Sequence, residues 1–106
     1  MPGIYRVIIT DEAVENLEEI AGYVFQDSPR AAGAIADTIV NAIDSLAEMP
    51  ERFRRVGGSR QRKSPIHAMV VYPFIVYYRV DESPATVHVL HVIHGARRQP
   101  RRFKAE

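Results

Sequence analysis

Three histidines at three-residue spacing, His88, His91 and His94, run directly into an arginine cluster of Arg97, Arg98, Arg101 and Arg102. On a helix the histidine spacing would form one stripe and suit a metal. The stretch Thr86–His94 is instead rich in Val, Thr, Leu and Ile, and reads as a strand. Alternation then predicts His88 and His94 on one face, about 20 Å apart, with His91 on the other. Three ligands do not converge on one ion from that arrangement, and the chain has no cysteine to add a thiolate. The expectation is no metal and no cofactor. His94 is the histidine placed for proton transfer or contact, because it ends the strand beside Gly95 and the arginines. Arginines in a cluster suit bidentate capture of phosphate or carboxylate, so Arg97, Arg98, Arg101, Arg102 and His94 are the candidate target-binding residues. Arg79 lies among aromatics in Tyr77-Tyr78-Arg79 and reads first as a group that stacks or pairs across a sheet. Nothing matches a nucleophile elbow, a phosphate loop or a paired-carboxylate site.

The elements that must position these groups follow from periodicity. Phe74–Val80 and Thr86–His94 flank an Asp-Glu-Ser-Pro turn and read as a hairpin. At the other end, Ile4–Ile9 reads as a strand buried on both faces or nearly so. Thr10 and Asp11 offer N-cap chemistry for a helix from Asp11 to about Phe25. Ser28-Pro29 starts a second helix, with Ala32, Ile35, Ala36, Ile39, Ile43, Leu46 and Ala47 as its apolar stripe. That helix is expected to stop at Met49, before Pro50. Glu51–Pro65 reads as a polar loop with six basic residues, and Ile66–Tyr72 as a third strand candidate. The order is β-α-α-β-β-β. The fold class is α+β: a small antiparallel sheet with an N-terminal strand and a helical hairpin packed on one face. One domain is expected over residues 1–106, with a basic C-terminal tail at 95–106.

Composition narrows the function classes. At 46% hydrophobic the chain is globular rather than disordered, and it contains no apolar run of bilayer length. The N-terminus reads as no signal peptide, and the absence of cysteine suits a reducing cytoplasm. Net charge is +1, but residues 1–51 carry two basic and ten acidic side chains, a net of −8. Residues 52–106 carry twelve basic and three acidic, a net of +9. This segregation predicts a basic functional face for an anionic partner, either nucleic acid or an acidic protein surface.

The whole-chain pattern resembles the RelE/ParE superfamily of type II toxin–antitoxin toxins. The residues that carry it are Tyr5-Arg6-Val7 leading to Thr10 and Ala13, Leu17-Glu18-Glu19-Ile20 with Tyr23, and Leu46 with Pro50. Val76-Tyr77-Tyr78-Arg79-Val80 and Val89-Leu90-His91-Val92-Ile93-His94-Gly95-Ala96-Arg97 complete it. The last stretch looks most like the ParE-like branch. The resemblance implies a cytoplasmic toxin that inhibits DNA gyrase without chemistry of its own. It also implies a cognate antitoxin whose C-terminal segment wraps the toxin, giving a toxin–antitoxin hetero-oligomer. The alternative branch is a RelE-like ribosome-dependent mRNA interferase, an endoribonuclease that would here use His94, Arg97, His67 and Arg79. Departures from the RelE pattern favour the ParE-like branch. The strand at Ile66–Val71 has no Lys or Arg, Phe74-Ile75 stands where a strand-starting arginine is usual, and Phe103 stands where a tyrosine is expected. Arg98, where an acid is common, departs from the ParE-like habit.

Overall fold

The computed structural model describes residues 4–57 and 65–97. The short apolar strand β1 (Arg6–Ile9) stops at Thr10, which caps α1 (Asp11–Asp27). The Thr10 hydroxyl accepts from the Ala13 N–H at 3.3 Å and donates to the Val89 carbonyl at 2.7 Å. One side chain therefore caps the helix and ties it to the sheet. Ser28 alone joins α1 to α2 (Pro29–Asp44), its hydroxyl accepting from the Ala31 N–H at 3.2 Å with Pro29 as first helical residue. The helical hairpin and both capping sites are as expected.

The second helix ends earlier than its apolar stripe suggests. The chain tightens into a 3₁₀ turn at Ser45–Ala47, passes through Met49 in the left-handed region (φ 48°, ψ 56°), and makes a second 3₁₀ turn at Pro50–Arg52. Pro50 lacks the N–H that a continued helix needs. The carbonyls left over at the helix end are collected by Arg52. Its Nη1 donates to the carbonyls of Ser45 (3.3 Å), Met49 (3.1 Å) and Glu48, and its Nη2 donates to the Ser45 hydroxyl at 2.9 Å. Leu46 still reaches the core, so the stripe is kept although the helix is not.

Four further strands follow: β2 (Arg54–Gly57), β3 (Ile66–Val71), β4 (Phe74–Glu82) and β5 (Ala85–His94). β2 lies inside the segment expected to be loop. Two arginines and a glycine in four residues carry little strand signal; pairing with β3 supplies what local preference lacks. The sheet order is β1-β5-β4-β3-β2. The strands from β2 to β5 pair antiparallel, and β1 joins β5 in parallel.

One irregularity sets the faces. Tyr77 pairs with His91 and Tyr78 with Val89, so Leu90 is an extra residue in β5. This bulge reverses the alternation of everything after it. The helix-covered face carries Phe74, Val76, Tyr78 and Val80 of β4, Val87, Val89 and Val92 of β5, and Met69 of β3, packed with Ile39, Ile43 and Leu46. The open face carries a smaller cluster of Ile66, Ala68, Tyr77 and Leu90. His88 and His91 therefore share the open face and His94 lies on the other, which corrects the alternation expected from an unbroken strand.

Arg52→Ala should lower stability by about 1–2 kcal/mol, the scale of one to two net hydrogen bonds with their carbonyls left exposed to water. Thermal unfolding checks this. A variant melting within error of wild type would remove Arg52 from the account of the helix end.

Candidate functional site

The candidate residues divide among three locations. His67, in β3, is 5% exposed and sits under the helical layer. Its Nδ1–H donates to the Phe53 carbonyl at 2.8 Å, which leaves Nε2 buried with no hydrogen-bond partner. The ring stacks on Tyr78 with centroids 5.4 Å apart and planes 15° from parallel. The Tyr78 hydroxyl donates to the Pro50 carbonyl, and burial pushes its pKa far up. His67 is thus a core side chain that pins the start of β2, out of reach of a macromolecular substrate.

Arg79 stands on the open face. Its register places it between Ile66 of β3 and His88 of β5. Its Nη2 reaches Asp81 Oδ2 at 3.4 Å, and His88 Nε2 reaches the same oxygen at 3.2 Å. In the adjacent row Arg54 pairs with Ala68, Ala68 with Tyr77, and Tyr77 with His91. Burial raises the Tyr77 pKa and the charge of Arg54 works against that shift. From sequence Asp81 reads only as part of the turn after Val80, and His88 only as a strand histidine unsuited to a metal site; their meeting is not evident there. The available signal was the spacing of Arg79 and Asp81, two residues apart on one strand and therefore on one face.

His94 ends β5 on the helix-covered side. Its ring meets Phe74 edge-on at 5.5 Å and 82°. The Ala96 N–H donates to its Nδ1 at 2.9 Å, so the neutral ring carries its proton on Nε2. Gly95 donates its N–H to the Pro73 carbonyl at 2.7 Å, and an added Cβ would lie 3.2 Å from that oxygen. Arg97 follows, its N–H bonded to the His94 carbonyl at 3.0 Å. Arg98, Arg101 and Arg102 lie outside the described residues, as do Phe103 and the loop cations Arg60, Arg62 and Lys63. The remaining loop cations do not form one positive face. Arg52 is committed to the helix end, Arg54 is on the open face, and Arg55 pairs with His67 on the covered side.

Two further features bear on binding. A groove of about 160 Å³ runs between α2 and the β3–β4 turn, lined by Ile35, Thr38, Val71, Tyr72 and Phe74 among others. At the opposite end of the sheet two carboxyl groups meet. Glu51 is pushed above its ordinary 4.5 by a hydrogen bond with Glu82, then by burial and the charge of Glu82, with His67 and Arg55 working the other way. Tyr5 is also raised, first by burial and further by Glu82. Among the described residues no group of three or more His, Asp or Glu is placed to hold a metal ion. No described helix is long and apolar enough to cross a membrane.

The helical hairpin on one face of a five-stranded mixed sheet is a fold shared with solved structures from toxin–antitoxin systems. The toxin of the chromosomal ParDE system of P. aeruginosa superposes with a TM-score of 0.65 at 18% identity, over 88% of this chain and 98% of that one. The archaeal RelE–RelB complex of Pyrococcus horikoshii gives 0.63 at 20%, over 90% and 99%. At these identities the likeness is one of fold. In sequence, a protein named Toxin RelE2 from Caulobacter vibrioides is 35% identical over 92 residues, which is 87% of this chain and 97% of that protein. The family model for the ParE toxin of type II toxin-antitoxin system, parDE, matches residues 7–99, and the chain belongs to that family.

The Glu51–Glu82 contact has a definite pH signature. Glu51 is raised in the folded chain, so the stabilisation is complete below 4.5 and is lost as pH rises through its higher folded-state value. At neutral pH the two carboxylates repel. Glu51→Gln should therefore melt at or above the wild-type temperature at pH 7 and lose part of the acid-side slope. Parallel pH profiles for the two proteins would show that the pair shares no proton.

Proposed function

We propose that this toxin acts by binding DNA gyrase, without hydrolytic chemistry of its own, and that a cognate antitoxin neutralises it. The observation that carries the reading is the scatter of the groups an interferase would need. His67 is buried under the helices, Arg79 is tied to Asp81 on the open face, and His94 and Arg97 lie at the end of β5 with His94 on the covered side. Acid–base and phosphate-binding groups must meet around one scissile bond to accelerate its cleavage. These four do not.

His94 instead ends the longest strand of the described sheet, and Arg97 follows it across a turn, where the sequence becomes arginine-rich. That suits contact with an anionic protein surface. The apolar groove beside α2 suits an amphipathic segment of an antitoxin that folds on binding. Action on gyrase places the protein in the cytoplasm and in a toxin–antitoxin hetero-oligomer when neutralised. The second reading, a ribosome-dependent mRNA interferase, draws support from the 35% identity to a protein named RelE2.

Purified protein tested with gyrase and supercoiled DNA should produce gyrase-dependent cleavage or block supercoiling. Tested on translating ribosomes, both wild type and His94→Ala should leave mRNA at background. Ribosomal cleavage by the wild type that falls ~100-fold in the mutant, the scale of a lost acid–base group, transfers the assignment to the interferase.

Replacing Arg97, Arg98, Arg101 and Arg102 together with Ala should abolish growth arrest and leave the fold intact. Target binding by the wild type should weaken with added salt, since exposed charges are screened over ~8 Å at physiological ionic strength. A quadruple mutant that folds and arrests growth at wild-type dose removes the tail from the mechanism.

A further inference from the structure

The open face is basic by its strand residues, yet its most enclosed cation already has a partner. Arg6, Arg54 and Arg79 belong to this face by register, opposite Thr86, Ala68 and His88 respectively. The Arg79 side chain is only 11% exposed. A guanidinium so enclosed needs a counter-charge, because an enclosed charge without one loses its hydration and gains nothing in return. The counter-charge comes from the same strand. Asp81 is two residues on, hence on the same face, and its Oδ2 lies 3.4 Å from Arg79 and 3.2 Å from His88 Nε2.

Donors from two adjacent strands thus converge on one carboxylate oxygen. This is the arrangement that would receive a phosphate oxygen if Asp81 were absent: a guanidinium and an imidazole on a rigid sheet, with Tyr77 and Arg54 in the next row. We propose that Asp81 is an internal counter-anion that fills this position from within the chain and denies the open face to a phosphodiester strand. Arg79 is then a positioning residue for Asp81 and His88, and Asp81 is the residue that decides against nucleic acid as a ligand of this face. Arg79–Asp81 pairing is local in sequence, so the carboxylate competes at an effective concentration that a separate phosphate must exceed. The negative charge also repels an approaching strand.

The test is binding of a short fluorescein-labelled single-stranded RNA to the full chain, read by anisotropy at low and at physiological salt. Asp81→Asn keeps the shape and removes the charge. It should bind the RNA about tenfold more tightly than wild type, the scale of one charge-assisted hydrogen bond gained and one repulsion lost. Adding Arg79→Gln to Asp81→Asn should return affinity to the wild-type level. Arg79→Gln in the otherwise wild-type chain should lower RNA affinity by less than threefold, because the guanidinium is already engaged and the uncovered Asp81 charge is screened at physiological salt. The tail arginines contribute equally to every variant and cancel in the ratios.

Circular dichroism confirms the fold of each protein. A folded Asp81→Asn with wild-type affinity overturns the proposal, and so does single Arg79→Gln weakening RNA binding by threefold or more. The second arm stands even if Asp81→Asn fails to fold. Inorganic phosphate, titrated as competitor, separates capture of a phosphate group from capture of the strand as a whole. Gyrase inhibition is scored separately: a chain that inhibits gyrase and binds RNA through Arg79 overturns the role of Asp81 and leaves the gyrase reading standing.

Discussion

The extra residue in β5 decides how the rest of the molecule is arranged. Leu90 interrupts the ladder between Val89 and His91, and every side chain after it changes face. Val92 is thereby turned into the main core, and His91 and Ile93 out onto the open face. The bulge is held in place by α1. The hydroxyl of Thr10 bonds to the Val89 carbonyl on one side of it, and the Asn16 side-chain oxygen accepts from the Val92 N–H at 3.0 Å on the other. β1 has ended by this point, its last pair being Ile9 with Val89. The Val89 carbonyl also accepts from the Thr10 backbone N–H at 3.1 Å, while the Val92 N–H, beyond the reach of β1, is met by the Asn16 side chain of α1. The helical hairpin is fixed over the sheet by the same contacts that fix which residues face away from it.

Much of this architecture was legible because local signals agreed with one another. Thr10 and Ser28-Pro29 are capping residues in the positions where capping is needed, and the apolar stripe of α2 points to a single packed face. Val76, Tyr78 and Val80 alternate cleanly in β4. The parts that were not legible depend on partners distant in sequence. β2 exists because β3 is beside it, and its Arg-Arg-Val-Gly composition says little by itself. The carbonyls at the end of α2 are met by Arg52, seven residues beyond Ser45, a partner that the helix's own sequence does not reveal. A bulge leaves no composition trace at all in Val-Leu-His-Val, so the faces of His91 and His94 were inverted.

The candidate site was legible in its ingredients and not in its grouping. Arg79 reads from sequence as a group that stacks or pairs across the sheet; its ion pair is instead with Asp81 on its own strand, and it is Asp81 that meets His88 on the neighbouring one. His67 was considered for chemistry, but its place on β3 opposite Tyr78 puts it in the interior. Charge segregation along the chain suggested a single basic face. In space the cations of the segment after α2 are divided between a helix end, the open face and the covered face. A run of like charges in sequence is therefore a poor guide to a patch once the run crosses a strand, since alternate residues leave on opposite sides.

The two outermost strands differ in kind from those between them. β1 and β2 are four residues each, whereas β4 and β5 have nine and ten. The long, apolar strands most able to recruit another chain are enclosed between neighbours, and the short outer strands carry Arg6, Arg54 and Arg55. Unpaired strand edges are templates for sheet extension, and brevity together with arginine discourages it. A small protein built on one sheet must avoid indiscriminate pairing with copies of itself. Here that protection comes from strand order and edge length, so lengthening β1 or replacing its arginine with an apolar residue trades solubility for little gain in the core.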